Sequence, residues 1–200
     1  MVVIGITGTL GAGKGAIVEY LVKKYGFKHY SAKDFITAEI IKRGMPVNRD
    51  VMTEVANDLR AKNSPSYIIE ELYKQAEDLH TNSVIESLRA VGEVETLRRE
   101  IGSKPYHKFY LFAVDANPNI RYERISTRNS EKDRGVTMEK FLSDEAREIS
   151  STDPNKQNIS ACINLADYVF TNNGEREDLH RQVDRVMDTL GVSKQATESA

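Results

Sequence analysis

The sequence predicts an α/β fold, a three-layer sandwich in which one five-stranded parallel sheet lies between two layers of helices. Short apolar runs alternate along the chain with longer segments that have the apolar spacing of amphipathic helices. No internal repeat and no linker rich in Pro, Gly or Ser divides the 200 residues, 40% of which are hydrophobic. We therefore expect a single domain over residues 1–192 with a full core.

Five apolar runs are the predicted strands. The first, VVIGIT, is apolar throughout, which is typical of a strand that is buried on both faces of a parallel sheet. The predicted strands cover residues 2–7, 27–31, 83–87, 108–116 and 167–172. Because ligands bind such sheets at the carboxyl ends of the strands, that edge is where we look for a functional site.

Helix start and stop signals lie between the strands. A helix follows the first strand and ends at Gly26, and Ser31 is predicted to cap the next one, with Asp34 placed as in a capping box. Ser64 is predicted to cap another helix, with Pro65 at its first position. Further helices are expected at 93–102, 118–129, 137–149, 155–165 and 174–190.

Composition limits the class of partner. The chain has 28 basic and 30 acidic residues, a formal charge of −2, so no basic excess points to nucleic acid. No apolar run approaches the ~20 residues of a membrane span. The single cysteine, Cys162, excludes an internal disulfide and a multi-cysteine zinc site. We expect a cytoplasmic protein with a small-molecule substrate, a disordered tail at 193–200, and a monomeric or dimeric state that composition leaves open.

The segment GTLGAGKG, residues 8–15, predicts a phosphate-binding loop. It fits the pattern G-x-x-x-x-G-K-[ST] except at its last position, where Gly15 replaces the hydroxyl residue that would contact magnesium. A strand precedes the loop and a helix begins at Lys14, which can reach the outer phosphates as a point charge. The predicted nucleotide-binding residues here are Gly8, Gly11, Ala12, Gly13, Lys14, Gly15 and Ala16. The expected cofactors are ATP and Mg²⁺.

Two carboxylates lie near the ends of predicted strands. Glu86 ends the third strand, where it can order a magnesium-bound water, although a charge in the first turn of a helix is the alternative. Asp115 in VDANP is a weaker metal candidate, because it equally suits a turn before Pro118.

Arginines crowd the segment that follows the fourth strand. Arg121, Arg124 and Arg128 share one helix face, and Arg134 and Arg147 come after a polar loop. Arginines that close over a transferring phosphoryl group neutralise its charge, so Arg128 and Arg147 are catalytic candidates together with Lys14. The alternative for each arginine is a solvated helix face, and we place Arg121 nearer to solvent than Arg128.

GAGKG resembles the loop of adenylate kinases and related nucleoside monophosphate kinases, in which Gly commonly follows the lysine and Thr comes next. This sequence has Ala16 in that last place, so neither position offers a hydroxyl. The resemblance implies a P-loop kinase in which magnesium is held mainly by ATP oxygens and waters.

YLFAVDANPNIRYERISTR resembles the segment of adenylate kinases and dephospho-CoA kinases in which a strand ends in V-D and a helix carries two arginines. That likeness implies that Arg124 lies near the adenine and that Arg128 contacts the phosphates. The ending ADYVFTNNG resembles the dephospho-CoA-kinase ending, which implies that Asn173 and Gly174 border the adenine. Together with IESLRAVGEVE, these segments resemble a group of archaeal adenylate-kinase-like proteins. A short helical lid at about 129–150 is expected.

HYSAKDFITAEI resembles the stretch that opens the acceptor site of adenylate kinases, and Ser31 and Asp34 match it. Thr37 stands where an arginine is expected, and the D-x-D pattern of dephospho-CoA kinases is absent. We predict that Arg60 and Arg89 hold the acceptor's phosphate instead. Asp34 could simply cap its helix, or could act as general base toward a hydroxyl acceptor.

The sequence therefore predicts an ATP-dependent phosphotransferase of the nucleoside monophosphate kinase type, acting on a small nucleotide or nucleotide-like acceptor. Dephospho-CoA kinase is one alternative. A nucleotide-binding or slow ATPase regulatory module is another, since Gly15 and Thr37 both lack an expected functional group.

Overall fold

A computed structural model describes residues 1–127, 135–153 and 156–195. Its centre is a five-stranded sheet in the order β2-β3-β1-β4-β5, and every neighbouring pair of strands is parallel. The strands are β1 Val2–Gly8, β2 Lys28–Ser31, β3 Ser83–Glu86, β4 Lys108–Asp115 and β5 Tyr168–Thr171. The predicted five-stranded parallel sheet is confirmed, and each predicted strand differs from the observed one by a residue or so at its ends.

The helices connect and flank these strands. They are α1 Lys14–Tyr25, α2 Ala32–Lys42, α3 Arg49–Lys62, α4 Tyr67–Leu79, α5 Val91–Gly102, α6 Pro118–Ser126, α7 Met138–Ile149, α8 Ile159–Asn164 and α9 Arg176–Thr189. In the described ranges, none of them is long and apolar enough to cross a bilayer.

Two apolar cores lie on opposite faces of the sheet. Helices α1 and α9 cover one face, with Ile17, Leu21 and Val183 fully buried against the strands. Helices α2, α3, α4, α5 and α8 supply the other core. Strand β1 contributes Val3 to one core and Ile4 to the other, because successive side chains of a strand point to opposite faces.

The structure confirms the predicted cap of the second helix and contradicts the predicted cap of the fourth. Ser31 caps α2, because its Oγ accepts a hydrogen bond from Asp34 N at 3.1 Å. The prediction for Ser64 was wrong, since residues 64–66 form a turn and α4 begins at Tyr67. The cause is local: Tyr67 N donates to Ser64 O, so the chain makes one more turn before the helix starts.

Some predicted segments lie partly outside the described residues. These are the end of the 118–129 helix, the start of the expected lid before residue 135, the start of the 155–165 helix and the tail after residue 195. Within the described part, α7 lies in the segment where a helical lid is expected, and that lid stays a prediction. Asn158 caps α8 by accepting from Ala161 N at 3.1 Å. The central position of β1, between β3 and β4, brings the three carboxyl ends together above the loop of residues 8–15.

Candidate active site

The loop between β1 and α1 presents an open helix N-terminus. Gly13 precedes the first helical residue, offers no side-chain cap, and is followed by no acidic residue in the first turn of α1. The ammonium of Lys14 curls over the loop and donates to Gly8 O at 2.8 Å and to Thr9 O at 2.9 Å. A helix N-terminus with an adjacent lysine attracts phosphate, because backbone N–H groups and the helix dipole both favour an anion there.

Close packing around the loop explains two of its glycines. Gly11 has φ +80° and a Cβ there would lie 2.6 Å from the carbonyl oxygen of Arg121. Gly13 has φ +108° and a Cβ would lie 2.3 Å from the side-chain nitrogen of Asn172. A Cβ at Gly15 would meet nothing within 4 Å. Neither backbone strain nor a neighbour therefore requires glycine at position 15, which faces open space.

Asp115 and Arg121 brace the loop from the side of β4 and α6. Asp115 accepts a hydrogen bond from the hydroxyl of Thr9, and Ala116 N donates to the same carboxylate oxygen at 2.8 Å. Arg121 donates to Ala116 O at 2.8 Å and to Leu10 O at 3.1 Å. Arg121 is only 4% exposed, so the expectation that it lies toward solvent was wrong. Its guanidinium donates to these two carbonyls and also forms an ion pair with Glu145 of α7, so the buried charge has partners.

The predicted adenine-side residues gather on the same side of the loop, where β5 lies beside β4. Arg124 donates to Asn172 O at 2.9 Å, and Asn172 donates from its side chain to Ala12 O at 2.7 Å. Asn117 N donates to the side chain of Asn173 at 2.7 Å, next to Gly174. The end of β5 is thus tied to the loop, to α6 and to the turn that precedes α6.

A cleft of about 450 Å³ opens on the opposite flank, between the loop and helices α2 and α3. It unites loop residues with all four predicted acceptor residues and with Glu86. The residues that line it and that the sequence singled out are Gly11, Gly13, Lys14, Gly15, Ser31, Asp34, Arg60, Glu86 and Arg89. Gly8, Ala12, Ala16, Asp115, Arg124, Arg147, Asn173 and Gly174 are not part of its lining.

Glu86 ends β3 inside the cleft and is paired with His29 of β2. Their side chains approach to 3.1 Å between His29 Nε2 and Glu86 Oε2. Burial favours the neutral form of Glu86 and raises its pKa. The hydrogen bond from His29 and the positive charges of His29, Lys14 and Arg89 outweigh that effect, so the pKa of Glu86 lies below its usual range. Glu86 is therefore a carboxylate at neutral pH.

Arg60 of α3 is almost fully buried and forms an ion pair with Glu93 of α5. Its Nε and Nη2 donate to Glu93 Oε1 at 3.1 and 2.8 Å. The second oxygen of Glu93 accepts from Arg89 N at 2.7 Å and from Ala90 N at 3.0 Å, which fixes the start of α5. Arg60 Nη1 is buried with no hydrogen-bond partner in the described protein. A buried donor of this kind calls for an acceptor that a ligand or water can supply.

Arg89 follows β3 and is held by two side chains from the far wall. Its Nη1 donates to Glu148 Oε2 of α7 at 2.7 Å and to Gln157 Oε1 at 2.9 Å. The side chain of Arg89 is 25% exposed, whereas that of Glu148 is 10% exposed. The guanidinium thus borders the cleft, while its carboxylate partner is largely covered.

Of the two catalytic arginine candidates, only Arg147 belongs to the described residues, and it does not line the cleft. Arg147 Nη1 donates to Asp50 of α3 at 3.0 Å, and its Nη2 donates to Asp144. These contacts tie α7 to α3, with the Arg147 side chain about half exposed. Arg128 lies outside the described residues. Its predicted contact with the phosphates stays a prediction.

Several cleft residues were missed by sequence reasoning. They are His29, Arg49, Thr53, Glu148 and Gln157. His29 could have been found, because it stands two residues before Ser31 in the strand whose end was predicted to open the site. Arg49 pairs with Asp144 at 3.5 Å across helices α3 and α7. No local pattern reveals such a pair, because its partners are far apart in the sequence.

On the side of the cleft that faces the phosphate loop, Glu86 is the carboxylate on which the expected magnesium site depends. Residues 1–127, 135–153 and 156–195 contain no group of three or more His, Cys, Asp or Glu side chains that could hold a metal ion. Asp115 is occupied by Thr9 and Ala116 N and lies outside the cleft lining. The donor set therefore fits a magnesium that brings its own oxygen ligands, and Glu86 would reach it through water.

Comparison with known proteins identifies the family to which this chain is similar. The AAA domain family matches residues 4–150 of this chain. A UPF0200 protein of Thermococcus kodakarensis is 30% identical over 197 residues, which cover 97% of this chain and 100% of that protein. The sequence similarity thus extends over nearly the whole length.

Solved structures share the architecture at low identity. A shikimate kinase from Acinetobacter baumannii, in complex with shikimate, has a TM-score of 0.60 at 16% identity and covers 96% of this chain and 95% of that one. A gluconokinase from Sinorhizobium meliloti has a TM-score of 0.55 at 12% identity, with 94% of each chain covered. At these identities the likeness demonstrates the fold, which is that of the P-loop kinases.

Proposed function

This chain belongs to the AAA domain family and to the UPF0200 proteins, and from that premise and the geometry of the cleft we propose an activity. The protein is an ATP-dependent phosphotransferase of the nucleoside monophosphate kinase type. Its acceptor is a small nucleotide or a nucleotide-like molecule. The observation that carries the proposal is the single cleft that joins the phosphate loop to a wall with three arginines, Arg49, Arg60 and Arg89.

The two ends of the cleft suit the two substrates of such a transfer. At the loop end, the open N-terminus of α1 and Lys14 receive the donor's phosphates. At the other end, Arg60 offers a buried donor without a partner, and Arg89 borders the space. Arginine suits this purpose because its planar fork matches phosphate oxygens. Phosphoryl transfer needs chiefly positioning and charge neutralisation, and a cleft with these groups supplies both.

The residues present fit ATP with Mg²⁺, provided that the metal takes its inner ligands from ATP and water. No hydroxyl stands at Gly15 or Ala16, and Glu86 remains ionised beside Lys14. Glu86 would accept hydrogen bonds from metal-bound water. Mg²⁺, when bound, supplies neutralisation of the phosphate charge. His29 fixes the orientation of Glu86 through the 3.1 Å contact.

The side chains of the cleft then have separate roles in the proposed reaction. Lys14 releases the carbonyls of Gly8 and Thr9 and turns to the donor's outer phosphate oxygens. Arg60 and Arg89 orient the acceptor, with Ser31 and Asp34 beside them at the start of α2. Asp34 is the group that would accept a proton if the acceptor atom were a hydroxyl oxygen, as in a dephospho-CoA kinase. That activity is therefore the alternative within the same reaction class.

One observation favours a different class of function. The Oγ of Thr37, at the position where the resembling kinases have an arginine, is buried without a hydrogen-bond partner and adds no charge to the acceptor wall. A nucleotide-binding module or slow ATPase that acts through a partner would need no such clamp.

Measurement of ADP formation separates these functions. Purified protein would be incubated with ATP and Mg²⁺, alone and with a panel of nucleoside monophosphates, dephospho-CoA, shikimate and gluconate. We expect ADP to form only with a phosphate-bearing acceptor, with the doubly phosphorylated product detected by mass spectrometry. ADP formation that is independent of every acceptor would instead favour the ATPase module, and dependence on dephospho-CoA alone would favour the alternative kinase.

A further inference from the structure

Glu148 of α7 carries a charge that its own helix does not favour. It lies in the last turn of α7, which ends at Ile149, where the helix dipole disfavours a negative charge. Its side chain is 10% exposed, so solvation compensates little. In the described part of the chain, its carboxylate pairs with Arg89 alone, at 2.7 Å. The placement of Glu148 is therefore explained by the cleft and not by the helix.

We propose that Glu148 is an internal carboxylate that occupies Arg89 until the acceptor's phosphate replaces it, and that it thereby sets the affinity that an acceptor must exceed. This inference rests on the proposed function, because it concerns the acceptor end of the same cleft. An internal competitor lowers the apparent affinity of every external anion for Arg89 by the same factor. Only an acceptor that binds much more strongly than a carboxylate then fills the site at ordinary concentrations.

The charge of the acceptor group decides whether the exchange is favourable. A phosphomonoester carries about −1.5 to −2 charges at pH 7 and three acceptor oxygens. Replacing Glu148 by such a group increases the negative charge that faces Arg89 and leaves oxygens for Arg60 Nη1, which has no partner. A carboxylate or hydroxyl acceptor gains nothing in the exchange. The acceptor class that we infer is therefore a phosphate monoester, and hydroxy acids are excluded.

The contacts of Glu93 explain why Glu148, and not the carboxylate that pairs with Arg60, is the one exchanged. Glu93 accepts from two nitrogens of Arg60 and from the backbone of Arg89 and Ala90, and its side chain is 1% exposed. Displacing it would strip four hydrogen bonds and the cap of α5. Glu148 would give up a single ion pair at the end of a helix. Arg60 thus keeps its internal partner, while Arg89 can change partners.

The test is calorimetric titration at pH 7 with inorganic phosphate and with acetate as probes, on the full chain. The variant Glu148→Gln keeps the size and an oxygen acceptor but removes the charge. The matched control is Glu139→Gln, which removes the same charge from the exposed start of α7. We expect Glu148→Gln to bind both anions at least about threefold more tightly, by the same factor for each. The control should bind both as the unaltered protein does.

A double variant distinguishes exchange at Arg89 from a general change of charge. If Glu148 competes for Arg89, the gain disappears when Arg89→Gln is combined with Glu148→Gln. A gain that survives in the double variant, an equal gain in Glu139→Gln, or unchanged or weaker phosphate binding in Glu148→Gln would overturn the proposal. A lower melting temperature of Glu148→Gln without tighter binding would assign the pair a purely structural role and would also overturn it.

The ADP assay separates this proposal from the proposed function. If ADP formation depends on a nucleoside monophosphate but Glu148→Gln leaves its KM unchanged, the exchange is wrong and the kinase assignment stands. If ADP forms with gluconate or shikimate and with no phosphate-bearing acceptor, the acceptor class of the proposed function is wrong and the exchange is refuted with it.

Discussion

The two ends of the cleft differ in whether backbone or side chains form them. The phosphate-loop end consists of backbone: glycines in left-handed conformations, a free helix N-terminus, and Lys14 resting on loop carbonyls. The acceptor end consists of side chains, with Arg60 on Glu93 and Arg89 on Glu148. Lys14 thus donates to neutral carbonyls, whereas Arg60 and Arg89 each form an ion pair with a carboxylate.

This difference has a consequence for binding. A phosphate that arrives at the loop takes the place of the Gly8 and Thr9 carbonyls on Lys14, and these carbonyls carry no net charge. A phosphate that arrives at the acceptor wall must share Arg89 with the Glu148 carboxylate or displace that carboxylate, so binding there is weaker. The four experiments below test whether the two ends differ as described, beginning with the largest expected effect.

Replacing Arg60 with Met should destabilise the protein by about 3–5 kcal/mol, because it leaves the buried Glu93 carboxylate without its cation. The measurement is urea unfolding of the variant against the unaltered protein. The double variant Arg60→Met/Glu93→Gln should regain most of the loss, since the remaining group is neutral and can still cap α5. A loss that persists in full in the double variant would mean that the packing of the Arg60 stem, and not its charge, is what counts.

Replacing Lys14 with Ala should reduce turnover by about 10²–10³-fold, the usual effect of removing one strong electrostatic contact to a transferring group. Stability should change little, because the hydrogen bonds that Lys14 makes with Gly8 and Thr9 are to partly buried carbonyls that water can reach. The measurements are ATP affinity, ADP formation and the melting temperature. Near-normal ATP affinity and turnover would contradict the assignment of this loop as the donor site.

A matched pair of glycine substitutions tests the backbone nature of the loop end. Gly13→Ala should cost about 1–3 kcal/mol, because φ is +108° and the new Cβ would collide with Asn172. Gly15→Ala places the same methyl group in open space without a positive φ, so stability should be retained. Thermal unfolding of both variants gives the comparison. Equal losses would mean that Gly15 is needed for the conformation of the loop.

Replacing His29 with Gln should have the smallest effect, a change in the pH dependence alone. Burial raises the pKa of Glu86, while His29, Lys14 and Arg89 together hold it below its usual range. A depressed pKa means that the carboxylate is lost only as the pH falls through that low value. Without the charge of His29 the pKa of Glu86 rises, so the acid limb of the activity profile should move to higher pH. An unmoved acid limb would separate Glu86 from the reaction.

The sequence alone predicted the architecture well because its signals are local. The apolar run at 2–7, the glycine stop at Gly26 and the cap at Ser31 each depend on neighbouring residues, and each was confirmed. The prediction for Ser64 failed because Tyr67 N donates to Ser64 O, so that a turn precedes α4. Local rules then name the kind of boundary but not its position.

For the site as well, local sequence signals predicted some features, and packing between distant segments decided the others. The loop motif fixes Gly11, Gly13 and Lys14 at one strand end, so its location followed from the sequence. Arg60 and Arg89 were expected at the acceptor site from a family resemblance, and Glu86 was expected near the loop from its position at a strand end. All three line the same cleft. Their internal partners were not foreseen. Glu93 lies 33 residues from Arg60, and Glu148 lies 59 residues from Arg89.

Sequence by itself determined the alternating α/β order, the phosphate loop and the candidate cations, because hydrophobic period, glycine and charge are written residue by residue. Only the tertiary structure decided which cations are already neutralised. Arg121 became a buried brace of the loop, Arg147 a tie between two helices, and Arg60 a buried half of an ion pair. The physical reason is that the electrostatic role of an arginine depends on the carboxylates and carbonyls within a few ångströms of its guanidinium, and packing between distant segments sets those distances.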